Sequence, residues 1–390
     1  MDHKDFLHNP LGTIKGIKIH GTKDWAFVPS PLPDRWEIPI EIWPLLAKAR
    51  EELARLDGIG KHMQNHEILL TPLQKREALR SSSLEGTYAT PEQLAIFDIE
   101  PKEPKSDRDP SNASKEVSNY SKAIRLGQEL INTLPFSLRF IRNLHKELLS
   151  GVRGHHRDPG NFRKSQVHIG SDRRFIPPPP MEAYQCLCEL EKHINSNSDI
   201  DPLIFCFMVH YQFETIHPFL DGNGRVGRVL LSLMIYKFLS LSRPWLYLSA
   251  FFEKYKDEYI TNLYNVSCNK DWGNWIAFCL RATIEQSKDS IERLEKLIIL
   301  QDKYRHLLLS SGGNMILTDI VDNLFKSPAI SIPIVADRYS VSKQTARNYV
   351  LSLEKMEILV DSKISSRPKW YISPAILLLA YEDVTEEDAI

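Results

Sequence analysis

Twelve residues constrain this chain more than any others: His217-Pro218-Phe219-Leu220-Asp221-Gly222-Asn223-Gly224-Arg225-Val226-Gly227-Arg228. An apolar run from Leu203 to Ile216 leads in, and another from Val226 to Leu239 leads out. Pro218 disfavours helical geometry at His217, so the first helix is expected to end there. Val226, Val229, Leu230, Leu233 and Met234 then recur at helical spacing. The pattern reads helix, tight loop, helix, with Gly-Asn-Gly where the second helix begins. Unpaired N–H groups at a helix start form an anion nest, and glycines let a phosphate come close. Arg225 and Arg228, three apart, share a helix face. Two guanidiniums beside a nest suit a polyphosphate. Asp221 is placed to hold the Mg²⁺ or Mn²⁺ that accompanies such a ligand. His217 is the one side chain of the run whose ordinary pKa suits a general base near neutral pH.

The run resembles the signature of the Fic family, H-P-F-x-[D/E]-G-N-G-R-x-x-R, at every fixed position. The resemblance implies transfer of AMP from ATP to a Ser, Thr or Tyr hydroxyl of a target protein or of the chain itself, with release of pyrophosphate. It implies that His217 deprotonates the hydroxyl and Asp221 holds the metal across the phosphates. Gly222, Asn223 and Gly224 would cradle those phosphates, with Arg225 on the β-phosphate and Arg228 on the γ-phosphate. The fold implied is mainly α, a Fic-like helical core with a small β-hairpin flap. Two rival readings stay open: removal of AMP from a modified protein by a water that Glu85 orients, and a DNA-binding regulator whose core senses nucleotide.

Upstream, Ser81-x-x-x-Glu85-Gly86 resembles the inhibitory motif of Fic proteins, [S/T]-x-x-x-E-[G/N]. A carboxylate at a helix C-terminus is disfavoured by the macrodipole and wants a cation. The resemblance names Arg228 as that cation, which implies autoinhibition with ATP held in an unproductive pose. The helix carrying the motif is expected to start at Thr71-Pro72, a capping residue followed by proline, and to run to Glu85 with Gly86 as its C-terminal cap. Ile42 to Leu56 reads as another helix, ended by Gly58 and Gly60. Residues 1–40 are rich in proline and read as an irregular extended arm, pinned by Trp25 and Trp36.

Gln166 to Ile169 and Arg174 to Ile176 flank the turn Gly170-Ser171-Asp172 and read as a small hairpin. It resembles the Fic flap, so Val167, His168 and Ile169 would dock a target segment by strand addition. Leu246 to Tyr264 reads as a helix, with Tyr255 where relatives often have an asparagine near the adenine. A tyrosine there can stack on the base or simply pack. His145 lies on an apolar helix face and reads as a hydrogen-bonded core residue. Glu214 reads as a structural hydrogen-bond partner. Near the C-terminus, helical segments at 317–326, 331–337 and 342–356 precede strands at Leu359–Val360 and Lys369–Ile372. This resembles a winged helix-turn-helix, whose uses include DNA contact, through Lys343, Gln344, Arg347 and Asn348 and through Lys363, Arg367 and Lys369, and docking or dimerisation.

At 390 residues the chain is too long for one ordinary core. Three blocks are expected: an N-terminal arm and inhibitory helix (1–100), a Fic core (101–300) and a winged-helix domain (301–390). A formal net charge of -1 gives no global field toward nucleic acid or membrane. The five cysteines are scattered and read as reduced thiols. No apolar run reaches membrane-spanning length and Met1 to His20 lacks an apolar core. A cytoplasmic enzyme, in a homodimer, is the expectation.

Overall fold

A computed structural model describes residues 1–7, 10–19, 21–62, 66–106, 108–152, 158–170, 173–196, 198–312, 314–366 and 368–384. Arg367 and the turn residues Ser171 and Asp172 lie outside them. The fold is mainly helical. In chain order come β1 (Gly12–Ile19), β2 (Thr22–Pro29), α1 (Trp43–Lys61), α2 (His66–Leu84), α3 (Pro91–Ile99) and α4 (Ser111–Leu130). Next are α5 (Leu138–Leu148), α6 (Pro180–Ile194), α7 (Pro202–Ile216), α8 (Asn223–Phe238), α9 (Ser249–Lys254), α10 (Lys256–Asn269) and α11 (Trp272–Ser310). The chain closes with α12 (Met315–Lys326), β3 (Ala329–Ser331), α13 (Ile332–Arg338), α14 (Lys343–Lys355), β4 (Val360–Ser366), β5 (Lys369–Ile372) and α15 (Pro374–Tyr381). No described helix is long and apolar enough to cross a membrane.

Two compact units result, one from residues 1–57 and 119–287, the other from 58–118 and 288–390.

In the first unit, α7 is apolar on nearly every side and almost wholly buried, as a central helix must be. Its start is fixed by Asp201, whose Oδ1 accepts from the amides of Leu203 (3.0 Å) and Ile204 (3.3 Å), with Pro202 in the first turn. α8 packs along it, and α5, α6 and α10 surround the pair. The N-terminal segment departs from the expected irregular arm. β1 and β2 form an antiparallel hairpin in which Gly12 pairs with Pro29 and Ile19 with Thr22. The hairpin belongs to the core: Phe27 donates its amide to the Ile176 carbonyl (2.9 Å), and Phe6, Phe27 and Phe175 are buried together against Tyr264. Trp25 is 40% exposed and stacks on His3, so its ring packs at the surface. The flap is slighter than expected. Its pairing is a single antiparallel bridge between Ile169 and Phe175, and Gln166 to His168 are not strand.

Three helix boundaries also differ. α1 continues through Gly58 and Gly60; a helical glycine costs only about 1 kcal/mol, and Leu53 and Leu56 are fully buried on the same helix. α2 begins at His66 and carries Pro72 inside it. The proline removes one backbone donor, while burial of Leu70, Leu73, Leu79 and Leu84 holds the helix on both sides of it. The expected helix over Leu246 to Tyr264 is two, α9 and α10, broken at Tyr255 (φ -115, ψ 43).

In the second unit, α2 packs on α12 and α15, and α13 on α14. β3, β5 and β4 form an antiparallel sheet in that order, and Ala95, Ala329, Trp370 and Ile372 make a small core beneath it. The buried half of α2 carries charge, and the unit answers it. Lys75 pairs with Asp98 at 2.9 Å, and Arg76 with Asp289 and Asp383, both at 2.8 Å.

Candidate active site

α7 stops at His217, which takes a left-handed conformation (φ 50, ψ 62) while its amide still bonds to the Phe213 carbonyl at 3.0 Å. That conformation is uncommon for a residue other than glycine, and Pro218 disfavours the helical alternative. The half-buried His217 ring sets Nδ1 3.3 Å from the Glu214 carbonyl. A carbonyl only accepts, so Nδ1 carries the proton and Nε2 presents the lone pair a general base needs. The chain then turns through Gly222 (φ 74) into α8, whose first turn has no side-chain cap. The first N–H groups of a helix lack intrahelical acceptors, so this start leaves backbone donors uncapped. Arg225 and Arg228 are 4% and 3% exposed on the following turn. Asp221, about one-third exposed, accepts the Gly222 amide at 2.7 Å and stands 3.8 Å from Arg225.

The loop is held from within and from behind. Asn223 Oδ1 accepts the Phe219 amide (2.8 Å) and Nδ2 donates to the Phe219 carbonyl (3.0 Å). Behind it, the Gly160 amide donates to His145 Nδ1 (2.8 Å), so that nitrogen is unprotonated and Nε2–H donates to the Asp221 carbonyl (3.1 Å). Burial pushes the His145 imidazole down to about 4, which keeps this neutral tautomer at physiological pH. Its ring stacks on Phe219 at 3.7 Å. Arg163, 4% exposed, donates from Nε to the His217 carbonyl (2.8 Å) and from its guanidinium tip to the Ser165, Pro178 and Ile216 carbonyls. It ties the end of α7 to the base of the flap. Its acceptors are neutral, and burial lowers its pKa to about 10.

Residues 43–129 match the Fic/DOC family N-terminal region, and residues 135–235 match the Fic/DOC family. The chain carries a Fic domain. Over 115 residues it is 32% identical to the protein adenylyltransferase Fic of Drosophila virilis and 31% identical to that of Drosophila melanogaster. Those matches cover 28% of this chain and 22% of each relative, so they span about a fifth of the relatives' length. The fold is similar to that of a Fic family protein from Desulfovibrio desulfuricans G20, with a TM-score of 0.55 and 18% identity over 87% of this chain and 97% of that one. It is also similar to a segment of Fic-1 from C. elegans, with a TM-score of 0.53 and 21% identity over 67% of this chain and 75% of that one.

The Fic loop gathers His217, Asp221, Gly222, Asn223, Gly224, Arg225 and Arg228 in the first unit, as their adjacency in sequence requires. The Asn223 carboxamide is spent on Phe219. Tyr255, half-buried at the α9–α10 junction, rests on Phe251 (4.6 Å between centroids) with the Lys254 ammonium 4.8 Å from its ring. In the flap, Ile169 makes the bridge, Val167 is half-buried and His168 is exposed. Ser81 and Glu85 belong to the second unit. Ser81 is fully buried in the last turn of α2. Glu85 falls just beyond that helix and is exposed, its amide bonding to the Ser82 carbonyl (3.1 Å) before Gly86 (φ 80). Sequence reasoning missed Arg163. No periodicity in the sequence around it marks a side chain that points inward.

Proposed function

We propose that this Fic domain transfers AMP from ATP to a Ser, Thr or Tyr hydroxyl of a target protein, or of the chain itself. The observation that carries the reading is the left-handed His217 set beside an uncapped helix start with two buried arginines. His217 Nε2 takes the hydroxyl proton. The oxygen bonds to the α-phosphorus as the bond to the departing pyrophosphate breaks. Amides at the start of α8 hold the phosphates, Arg225 and Arg228 neutralise their charge, and the flap at Val167, His168 and Ile169 docks the target segment. A single loop carboxylate such as Asp221 suits Mg²⁺, which keeps several waters and takes its other oxygens from phosphates. When bound, that ion would offset negative charge on the phosphates. The adenylyltransferase names of the Drosophila relatives support the same chemistry.

Glu85 is the proposed restraint, through Arg228, and its position past the last carbonyls of α2 favours a cationic partner. For residues 315–372 we infer a winged-helix module used for docking, as in a homodimer. Its helix α14 exposes Lys343, Gln344, Arg347 and Asn348, the face that DNA contact would use.

The deciding experiment incubates wild type, Glu85→Gly and His217→Ala with α-labelled ATP and Mg²⁺. Label on protein should rise in the glutamate variant and vanish in the histidine variant. Labelling of His217→Ala at the wild-type level would sink the mechanism. Unchanged labelling of Glu85→Gly, with loss of AMP release from a pre-modified target, would instead favour AMP removal.

A further inference from the structure

A second concentration of positive charge lies on α5, outside the Fic loop. Arg139, Arg142 and Lys146 are exposed and spaced three and four residues apart, so they form one stripe. With Asn143, Pro159, Gly160 and Asn161 they line a cavity of about 440 Å³, a size that suits a small ligand. Among the described residues the lining holds three cations, two carboxamides and no carboxylate. Arg142 is fixed in place by neutral acceptors: Nε donates to the Gly160 carbonyl and Nη2 to Asn161 Oδ1, both at 2.6 Å. Its fork is therefore preorganised with its charge uncancelled. Among the described residues, no ion pair engages Arg139 or Lys146. The nearby Asp158 carboxylate accepts from the Asn161 side-chain Nδ2 (2.6 Å).

Three like charges along one cavity wall repel one another, and a ligand of high negative charge relieves that cost. The stripe runs seven residues, roughly 10 Å at 1.5 Å per residue. That is too long for one orthophosphate to satisfy and suits a chain of phosphates. We propose that this cavity binds a polyphosphate anion of the pyrophosphate or triphosphate class, either free or as the tail of a nucleotide. Arg142 is the fixed anchor, Arg139 and Lys146 are the outer clamps, and Asn143 offers a neutral donor.

The site adjoins the Fic loop through one imidazole. Gly160 forms part of the cavity wall, its carbonyl holds Arg142, and its amide holds His145 Nδ1. The opposite nitrogen of that ring holds the Asp221 carbonyl. An anion held by Arg142 in place thus sits one residue, Gly160, away from the imidazole that latches the loop.

The test is calorimetric titration of the full chain with pyrophosphate and with inorganic triphosphate at 150 mM salt. Wild type is compared with Arg139→Ala/Lys146→Ala and with the charge-preserving Arg139→Lys/Lys146→Arg. Both side chains are exposed, so the fold should survive, and circular dichroism checks it. Wild type should bind one equivalent that weakens at least tenfold in the alanine pair and persists in the charge-preserving pair. Any equivalent held by the loop should be unchanged in all three. Identical stoichiometry and affinity in wild type and the alanine pair would overturn the proposal. So would binding seen only at low salt, the mark of a diffuse basic patch. ATP binding more tightly than triphosphate at this site identifies a nucleotide tail, and equal affinity identifies a free polyphosphate. Calorimetry counts bound anion without turnover, so the result stands whatever the fate of the AMP-transfer reading.

Discussion

Asn223 spends both ends of its carboxamide on one residue, Phe219, and is 2% exposed while doing so. Removing it strands a buried amide and a buried carbonyl, each costing about 1–3 kcal/mol. Asn223→Ala should therefore lower unfolding free energy by about 2–4 kcal/mol in urea titration, and it should abolish labelling by freeing the loop. Asn223→Asp keeps the acceptor and loses the donor, so it should fall between wild type and alanine. Equal stability of all three would mean that the clamp contributes nothing. At this scale the sequence was informative about identity and uninformative about partners. The twelve-residue run drew attention to Asn223 by residue type, but the clamp its carboxamide makes on Phe219 was not foreseen. A side chain's choice among nearby acceptors depends on three-dimensional placement that spacing does not encode. His145 was legible as a hydrogen-bonded core residue, since a histidine on an apolar helix face needs partners. That those partners were Gly160 and the Asp221 carbonyl was not legible.

Among the elements, α7 and α8 approach closely at Gly227, where an added Cβ would lie 2.1 Å from Glu214 Oε1 and 3.1 Å from Phe213 Cδ1. His210 fastens the same pair, with Nδ1 3.2 Å from the Gly227 carbonyl and Nε2 2.9 Å from Tyr259 Oη. Two effects oppose each other in Gly227→Ala. Helix propensity favours alanine by about 1 kcal/mol, whereas overpacking costs about 1–3 kcal/mol. The tip of the half-buried Glu214 side chain can turn aside from the 2.1 Å contact, but Phe213 Cδ1 at 3.1 Å stays in the way, so packing should win by a small margin and the thermal midpoint should fall. Adding Glu214→Ala to Gly227→Ala should restore part of the loss, which a double-mutant cycle measures. A stabilised Gly227→Ala would show that the helices can part without penalty. Long amphipathic or apolar helices such as α5, α7 and α8 were readable from periodicity. The N-terminal hairpin was not read, although Ile17 and Ile19 alternate with Lys18 and Gly21 closes the turn. The prolines around it gave the stronger signal and pointed to an irregular arm. The break at Tyr255 had no proline or glycine to announce it.

For the molecule as a whole, what the sequence hides is pairing across long separations, and the second unit depends on it. Arg76 of α2 donates from Nε (2.9 Å) and Nη2 (2.8 Å) to Asp383, more than three hundred positions away, and meets Asp289 at 2.8 Å through Nη1. Arg80 reaches Asp383 at 3.3 Å, and Arg293 reaches both Asp289 and Asp383 at 3.0 Å. The helix that carries Ser81 is thereby tied to the segment following α15. Burial pushes the Asp383 carboxyl up, but the hydrogen bonds and charge of Arg76, with Arg293 and Arg80, outweigh it and hold the group at about 2. Its ordinary value is 3.8. A carboxylate depressed in the folded state contributes stability that is fully present above the unfolded value and is lost as pH falls through the folded one. The contribution here is about 2.5 kcal/mol near neutrality and fades between pH 4 and pH 2. Asp383→Asn should therefore unfold at lower urea concentration than wild type at pH 7, by about 2–3 kcal/mol, because buried guanidiniums lose a counter-charge. At pH 2.5 the gap should shrink to roughly a third, about 0.8 kcal/mol, and it should close only below pH 2. A gap that stays constant from pH 7 to pH 2.5 would assign the loss to packing, and no gap at pH 7 would show that the arginines' other partners, Asp289 and Glu382 among them, suffice without Asp383.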